Sequence, residues 1–194
     1  MLAVLEAELL LDAYRHGIFP MAINRRGTIG WFSPDPRAVI PLDDRFHVPH
    51  GLQRVLKQKK FEVSFDREFP AVIRECAKRR EGTWISKQII ESYCDLHRLG
   101  HAHSVETRLD GKLVGGLYGV HVGGAFFGES MFHRATDASK VALVVLVERL
   151  RQRGFLLLDT QWQTPHLARF GTYEIPRMEY LRRLRDAVAM GCRF

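Results

Sequence analysis

Two glycine-containing turns between apolar segments constrain the fold of this chain more than any other feature. Asp110-Gly111 joins the segment AHSVETRL to KLVGGLYGVHV, and Gly123-Gly124 joins the latter to AFFGES. Asp-Gly and Gly-Gly pairs favour the tight turns that connect adjacent antiparallel strands. These residues therefore predict an antiparallel meander of three strands.

A buried helix and a central strand are predicted directly after the meander. The segment 137–153 begins at a capping residue, Thr136 or Asp137, and is apolar almost all round from Val141 to Val147, so the helix must be buried. The run FLLL that ends in Asp159 is typical of a strand covered on both faces. The order meander, buried helix, central strand predicts an α/β (α+β) fold of the acetyltransferase-like (GNAT-like) type. In such folds two central strands separate and open a cleft.

The first 60 residues predict a small N-terminal unit of helices and loops. A helix is expected over residues 3–15 and a short helix after Pro49. The segment GWFSPDPRAVIPLD is expected to be a loop, because its three prolines exclude regular helix. We therefore expect a small N-terminal domain over residues 1–60 and a catalytic domain over residues 61–194.

The second part begins with further recognisable elements. FEVSF alternates apolar and polar residues and predicts a strand. The segments EFPAVIRECAKRR and KQIIESYCDLHRLG predict helices, the second with Ser86 as N-cap and Gly100 just beyond its end. A last amphipathic helix is expected after Pro176.

The charge of the chain points to a polyanionic partner. The net charge is +7 and the isoelectric point is about 9.6, which favours RNA or DNA first and a membrane surface second. A solvated basic surface without a partner explains the charge equally well. Basic clusters that could follow a phosphate backbone are KQKK (57–60), KRR (78–80), RLRQR (149–153) and RRLR (182–185).

Cysteine usage and hydropathy indicate a soluble cytoplasmic protein with no membrane association. Cys76, Cys94 and Cys192 are far apart and form no CxxC pair, so neither a disulfide framework nor a zinc site is expected. The first residues carry acids and no basic region, unlike a signal peptide. The longest uncharged apolar stretch, 141–147, is too short to span a bilayer.

Three polar residues near strand ends are candidates for the chemistry. Glu129 closes the meander, Asp159 closes the central strand, and Gln161 follows two residues later. Ligands of α/β sheets bind near the carboxyl ends of strands, and positions i and i+2 of an extended segment share a face. Asp159 and Gln161 are thus expected to point into one cavity, with Glu129 holding a cationic group. Each residue alone is more often structural; together they make the functional interpretation comparable in weight.

Several enzyme classes lack their motifs in this chain. The Ser130 region has no GxSxG, and VGGLYG matches neither GxGxxG nor GxxxxGK[ST]. HRATDASK, before the buried helix, lacks the Gly-rich stretch that acetyltransferases use for the coenzyme A pyrophosphate. No cofactor and no metal are expected. Trp31, Trp84 and Phe126 could stack on bases, although each aromatic residue alone is more often part of a core.

A series of motifs across residues 13 to 181 resembles the leucyl/phenylalanyl-tRNA–protein transferase family. In chain order they are AYRHGIFP, GWFSPDPRAVIPLD, EGTWIS, LHRLGHAHSVE, LVGGLYGV, FFGESMFHRATDASKVAL, GFLLLDTQ and EIPRMEYL. The resemblance implies transfer of Leu or Phe (also Met) from aminoacyl-tRNA to proteins that begin with Arg or Lys. Such a product would be marked for degradation as an N-degron.

The resemblance also implies roles for individual residues. Asp159 and Gln161 fall where the family forms the peptide bond, and Glu129 where it holds polar groups of the aminoacyl-adenosine or the incoming amine. Further positions are the adenosine site (Trp31, Trp84, Phe126), the apolar pocket for the donated side chain (Leu117, Leu143, Leu150, Leu158) and acceptor recognition (Thr164).

The residues themselves support an apolar pocket. Leu143 and Leu150 are seven apart on the predicted helix and share a face. A hydrophobic pocket discriminates one missing methylene by only ~1–3 kcal/mol, so it should accept Leu, Phe and Met. Alternatives are a transferase of different donor or acceptor specificity, a coenzyme A-dependent amine acetyltransferase, or a non-enzymatic RNA-binding module. A monomer is expected, since no heptad or edge pattern requires a partner.

Overall fold

The computed structural model describes residues 4–24, 26–79 and 81–194. The described helices are α1 (Ala7–Arg15), α2 (His50–Lys57), α3 (Phe69–Ala77), α4 (Lys87–Arg98), α5 (Ala138–Gln152), α6 (Pro165–Ala168) and α7 (Arg177–Val188). The described strands are β1 (Phe19–Ala22), β2 (Ile29–Phe32), β3 (Arg37–Ile40), β4 (Glu62–Phe65), β5 (Ala102–Leu109), β6 (Lys112–Val122), β7 (Ala125–His133), β8 (Leu157–Gln161) and β9 (Tyr173–Ile175).

A seven-stranded mixed sheet forms the centre of the molecule. Its strand order is β4-β5-β6-β7-β8-β3-β9, and β1 and β2 form a separate two-stranded sheet. The pair β7–β8 is parallel, whereas the other neighbours in the large sheet are antiparallel. Apolar clusters cover both faces of this sheet. The predicted α/β fold of acetyltransferase-like type is confirmed.

The predicted meander consists of β5, β6 and β7. Asp110 and Gly111, at the first turn, have φ values of 51° and 73°. Positive φ at both central residues is the geometry of a type I′ turn, which matches the twist of the flanking strands. Gly123, at the second turn, has a φ of 58°. The two turns predicted from the sequence are therefore confirmed.

Helix α5 is buried on nearly every side, as its apolar sequence requires. It packs against β5 and β6, and its residues from Ala138 to Leu150 provide much of the core on that face. Asp137 occupies the predicted N-cap position but its side chain caps no backbone N–H. Its φ is 70°, and its carboxylate instead accepts a bond of 2.7 Å from Lys140. The predicted start is confirmed, while the capping bond does not form.

The proline-rich segment differs from the prediction. It was expected to be a loop, but β2 and β3 lie within it. The prolines stand outside both strands, at positions 34, 36 and 41, so every residue of β3 keeps its N–H for pairing. Strand β3 pairs with β8 on one side and β9 on the other. The chain before residue 60 thus contributes a strand to the large sheet, and the domain division at residue 60 stays a prediction.

The remaining elements follow the sequence pattern. Helix α1 covers the core with Leu10, Leu11 and Tyr14; residue 3, where its start was predicted, lies outside the described residues. Ser86 accepts a bond of 3.3 Å from the Ile89 N–H and caps α4 as predicted. No helix among the described residues is long and apolar enough to cross a membrane.

Candidate active site

A cavity of about 630 Å³ lies where β7 and β8 part. The two strands pair only from Ala125 to Phe127 and from Leu157 to Asp159. Beyond that point both strands continue without pairing to each other. The residues that follow, Gly128 to Met131 on β7 and Thr160 and Gln161 on β8, line the cavity.

Both strands carry an irregularity at this point. On β7, Ser130 pairs with Tyr118 and Gly128 with Gly119, so Glu129 is an extra residue with no partner in the register. On β8, the shift between Ala38 and Val39 leaves Thr160 as the extra residue. Bulges turn side chains away from the regular alternation and often lie next to active sites. Here they turn the segments that carry Glu129 and Gln161 along the cavity.

One part of the cavity wall is apolar. Leu117 comes from the meander, Leu143 and Leu146 come from α5, and Leu158 comes from β8. Each of these leucine side chains is nearly inaccessible to solvent. The buried helix and the central strand thus place an apolar surface directly beside the polar residues of the bulges.

Glu129 is held by phenols from two helices. The Tyr14 hydroxyl donates a bond of 2.7 Å to Glu129 Oε1, and the Tyr14 and Tyr93 hydroxyls bond to each other. Burial raises the pKa of the Glu129 carboxyl to about 8, although the hydrogen bond from Tyr14 acts in the opposite direction. Asp159 raises this pKa further and Arg37 lowers it. At neutral pH the carboxyl is therefore mostly protonated, and a bound cation would favour its ionised form.

Asp159 does not line the cavity, because it is completely buried in an ion pair behind it. Arg37 donates to both of its carboxylate oxygens, at 2.9 Å from Nε and 2.6 Å from Nη2, and Tyr180 donates to Oδ2 at 2.7 Å. The Arg37 guanidinium lies 4.9 Å from the ring centre of Phe19 and 4.5 Å from that of Tyr180. A carboxylate bound so fully serves to position other groups.

Gln161 is positioned by Asp159 through the backbone. The Gln161 N–H donates to Asp159 Oδ1 at 2.9 Å, and Gln161 has a φ of 58°, which L side chains rarely adopt. The expectation that both side chains point into one cavity is thus met only for Gln161. The left-handed backbone separates the faces that a regular strand would have shared.

Three buried polar atoms around the cavity have no partner within the described part of the chain. They are Tyr118 Oη, Gln161 Nε2 and His166 Nε2. Buried polar atoms in proteins are almost always hydrogen-bonded, because an unmade bond costs about 1–3 kcal/mol. A polar ligand that enters the cavity can supply the missing partners of these three atoms.

Most of the residues predicted for the site lie together, and a few do not. Those lining the cavity are Glu129, Gln161, Trp84, Leu117, Leu143, Leu158 and Thr164. Trp31 lies on β2 with 41% of its surface exposed. Phe126 is buried and stacks on Phe194 at 5.4 Å. Leu150 is buried in the core. It lies about 10 Å further along α5 than Leu143, because a helix rises 1.5 Å per residue. The roles suggested for Trp31, Phe126 and Leu150 stay predictions.

Sequence reasoning missed several residues of the site. Tyr14 and Tyr93 hold Glu129, Arg37 and Tyr180 hold Asp159, and Trp162 stands at the cavity against the edge of Phe19, 5.3 Å between ring centres. For Tyr14 a signal existed, since its hydroxyl occurs on the apolar face of α1. For the others no local pattern existed, because their partners are distant in the sequence.

The described residues contain no group of three or more His, Cys, Asp or Glu side chains arranged to hold a metal ion. The polar groups of the cavity are instead one carboxyl, amide and hydroxyl groups, imidazoles and the Arg79 guanidinium, which donates to Ser130 Oγ at 2.9 Å. This set suits hydrogen bonding to an organic ligand.

Comparison with known proteins gives the same family over nearly the whole chain. Residues 39–185 match the family model described as leucyl/phenylalanyl-tRNA protein transferase, and residues 3–35 match the model of its N-terminal domain. A leucyl/phenylalanyl-tRNA–protein transferase of Akkermansia muciniphila is 58% identical over 186 residues, which cover 95% of this chain and 96% of the relative. One from Gloeobacter violaceus is 56% identical over 194 residues and covers both chains completely.

Solved structures give weaker similarities. A ribosomal-protein-alanine N-acetyltransferase from Brucella melitensis has a TM-score of 0.40 and 15% identity, over 55% of this chain and 83% of that chain. The L-PGS structure from Bacillus licheniformis has a TM-score of 0.42 and 15% identity, over 83% of this chain and 55% of that chain. Similarities of this degree do not bear on function.

Proposed function

This chain belongs to the leucyl/phenylalanyl-tRNA protein transferase family, and from that membership we propose how its cavity carries out the transfer. The activity of the family is aminoacyl transfer from tRNA to protein. The finer proposal is that Leu or Phe (also Met) is donated, and that the acceptor begins with Arg or Lys. The observation that supports the assignment to this cavity is a set of three buried polar atoms that have no partner among the described residues, beside a leucine-lined wall.

The leucine-lined wall is the proposed site of the donated side chain. Leu117, Leu143 and Leu158 give an apolar surface that a Leu, Phe or Met side chain can cover. The leucines are already shielded from water, so the gain comes from the donated side chain, at about 25 cal/mol per Å² of its apolar area removed from water and without directional selection. The wall therefore favours large apolar side chains over small or polar ones.

The polar side of the cavity is the proposed site of the ester and the amines. The acceptor amine nitrogen attacks the ester carbonyl carbon, the C–N bond forms, and the ester C–O bond to the ribose breaks. The ribose oxygen leaves with a proton, and the amine loses one. An aminoacyl ester is already activated, so the enzyme has mainly to orient the reactants and stabilise the developing oxyanion.

Gln161 and Tyr118 are the proposed hydrogen-bonding partners of the aminoacyl ester. Both present buried donor groups to the cavity that are unpaired among the described residues. Gln161 is a poor base, so we assign it the role of positioning the reacting groups; Asp159 holds its backbone. We propose that Glu129 binds an amine of the substrate, because a carboxylate forms strong charge-assisted hydrogen bonds with an ammonium group.

Trp84 is the proposed stacking surface for the terminal adenosine, since it lines the cavity and is partly exposed. The roles of Trp31 and Phe126 at the adenosine, of Leu150 in the side-chain pocket and of Thr164 in acceptor recognition are proposals from the family resemblance. The net charge of +7 favours the RNA part of the donor. We further propose a cytoplasmic monomer whose products enter N-degron degradation.

The test is transfer of radiolabelled Leu and Phe from charged tRNA to a model protein with N-terminal Arg or Lys. Wild type is compared with Gln161→Ala and Asp159→Ala, and an acceptor with N-terminal Ala is the matched control. We expect incorporation with the wild type and Arg or Lys acceptors, and a strong loss in both variants.

Two results would contradict parts of the proposal. Tight tRNA binding without incorporation from any charged tRNA would favour an RNA-binding module. Equal incorporation into the Ala acceptor would show that acceptor specificity differs from the one proposed. Calorimetric binding of acetyl-coenzyme A would favour the acetyltransferase alternative.

A further inference from the structure

Two buried tyrosines from different helices meet at one carboxyl group. Tyr14 comes from α1 and Tyr93 from α4, and both are completely inaccessible to solvent. The Tyr14 hydroxyl donates to Glu129 Oε1 at 2.7 Å and is bonded to the Tyr93 hydroxyl. Burial raises the pKa of both phenols well above the usual value, so both are protonated at neutral pH.

Packing alone does not require these hydroxyls. Phenylalanine would fill the same space, and a buried hydroxyl costs free energy unless it is bonded. The Tyr14 ring packs against Phe127 at 4.8 Å between ring centres, tilted by 46°, so its ring already belongs to the core. The hydroxyl adds a bond directed at Glu129, the extra residue of the β7 bulge. The bulge brings the carboxyl to the cavity, and the phenols fix its direction.

We propose that Tyr14 and Tyr93 are positioning residues of the transfer reaction, which hold one oxygen of Glu129 so that the carboxyl presents its other oxygen to a substrate amine. This inference rests on the proposed function of the cavity and deepens it. Neither tyrosine lines the cavity, so both act through Glu129. The N-terminal helix α1 thereby becomes part of the active site.

The ionisation of Glu129 depends on groups from five elements. The phenols of Tyr14, Tyr93 and Tyr118 face it from α1, α4 and β6, while Asp159 on β8 and Arg37 on β3 act from behind the cavity. A hydrogen bond donated to a carboxyl stabilises its charged form, so loss of the Tyr14 hydroxyl raises the pKa of Glu129 above its value of about 8. Less of the carboxyl is then ionised at a given pH.

The experiment compares Tyr14→Phe and Tyr93→Phe with the wild type in the aminoacyl transfer assay from pH 6 to 9. The matched control is Tyr173→Phe, which also removes a hydrogen-bonded hydroxyl. Tyr173 lies on β9, and its hydroxyl accepts a bond of 2.7 Å from Arg183 on α7. We expect the KM for aminoacyl-tRNA to rise about tenfold in Tyr14→Phe with kcat within twofold, the pattern of lost uniform binding. The rising limb of kcat/KM should move to higher pH. Substrate amines titrate identically in all variants, so this shift belongs to the enzyme.

A double-mutant cycle with Glu129→Gln separates positioning from a structural effect. If the phenols act through Glu129, Tyr14→Phe has no further effect on KM in the Glu129→Gln background. Equal KM and pH profiles for Tyr14→Phe, Tyr93→Phe, Tyr173→Phe and wild type would overturn the proposal. An undiminished effect in the double variant would overturn it too.

A second readout does not depend on activity. The raised pKa of Glu129 means that its contribution to folding is complete below about pH 4.5 and is lost as pH rises through about 8. Thermal unfolding of the wild type relative to Glu129→Gln should show this loss, and in Tyr14→Phe the loss should extend to higher pH. If the wild type transfers no amino acid, the proposed function fails. The pH dependence of thermal unfolding then decides by itself whether the tyrosines set the ionisation of Glu129. An unchanged pH dependence in Tyr14→Phe would then refute their role.

Discussion

At the scale of single residues, the ion pair between Arg37 and Asp159 shows how the site depends on groups that do not line the cavity. The two side chains are 1% and 0% exposed, and two aromatic rings enclose the guanidinium. Such a pair is expensive to desolvate and adds little net stability by itself. Its retention is explained by what it holds, because Asp159 also accepts the Gln161 N–H.

Replacement of Arg37 by Met should destabilise the protein by about 3–5 kcal/mol, because it leaves Asp159 as an uncompensated buried charge. The control is Arg182→Met, whose partner is Glu179 at 2.8 Å on the surface, and whose loss should cost no more than about 1 kcal/mol. Urea unfolding measures both. A loss in Arg37→Met no larger than in the control would show that Asp159 is not charged in the folded protein.

Gln161 combines backbone strain with an unmade hydrogen bond. Its φ of 58° costs an L residue roughly 1–2 kcal/mol, and its buried Nε2 has no partner in the described part of the chain. Strain of this kind at a cavity lowers the stability of the fold and holds a functional group in a defined orientation. Stability and activity should therefore respond in opposite directions to its replacement.

Gln161→Gly should raise the free energy of unfolding by about 1–2 kcal/mol, since glycine adopts positive φ freely. The same change should lower transfer by about 10²-fold or more, through loss of a preorganised donor. Asp110→Gly is the control, because Asp110 has a φ of 51° in the exposed turn between β5 and β6. It should gain stability without a change in activity. A simultaneous loss of stability and activity in Gln161→Gly would argue against stored strain.

At the scale of elements, the site depends on where pairing stops. Strands β7 and β8 pair for three residues each and then carry a bulge on either side of the opening. Helices α1 and α4 bring Tyr14 and Tyr93 to Glu129. The stability of these helices should thus affect the site as well as the fold.

The N-cap of α4 offers a test at this scale. Ser86→Ala removes the acceptor of the Ile89 N–H and should cost about 1 kcal/mol. Ser86→Asp keeps an acceptor and adds a charge that suits a helix N-terminus, so it should restore the loss. Thermal unfolding of both variants measures this. A variant with Asp that is as unstable as the one with Ala would show that the cap does not limit the stability of α4.

At the scale of the whole molecule, the basic clusters differ in how far their side chains are already bonded to other groups of the protein. Arg182 and Arg183 both bond Glu179, so the RRLR cluster is partly neutralised. In the RLRQR cluster, Arg151 donates to backbone carbonyls of the segment before α2. Arg80 of the KRR cluster lies outside the described residues. The RRLR cluster therefore has fewer unpaired cations to offer RNA than its sequence suggests.

Binding of tRNA should weaken steeply with salt. If six to ten phosphates are contacted, affinity falls by about 10³–10⁵ between 50 and 200 mM salt; fewer contacts give a shallower slope. The slope from filter binding or calorimetry gives the number of contacts. Aminoacyl-adenosine, which lacks the phosphates, is the control and should bind with little salt dependence. Equal slopes for both ligands would show that the basic clusters do not contact the RNA backbone.

Features that depend on neighbours along the chain could be predicted from the sequence. The Asp110-Gly111 turn, the Ser86 cap and the apolar circumference of α5 follow from local conformational preferences and from periodicity. The same reasoning selected Glu129 and Gln161, and both line the cavity. Gln161 ends β8 as expected, whereas Glu129 lies in the middle of β7 and not at its end, because the strand continues to His133. It failed in the proline-rich segment, because the pairing of β3 with β8 joins residues more than 100 positions apart.

Only the tertiary structure decided which polar groups meet. Arg37 reaches Asp159 across 122 positions and Tyr14 reaches Glu129 across 115, distances over which no local pattern carries information. The strands β7 and β8 each carry a bulge, and Gln161 has a left-handed backbone. As a result Gln161 lines the cavity and Asp159 lies behind it. The physical reason is that burial, charge pairing and strain are properties of the assembled core. Both carboxyls were identified from the sequence, but only the fold shows that Glu129 lines the cavity and Asp159 does not.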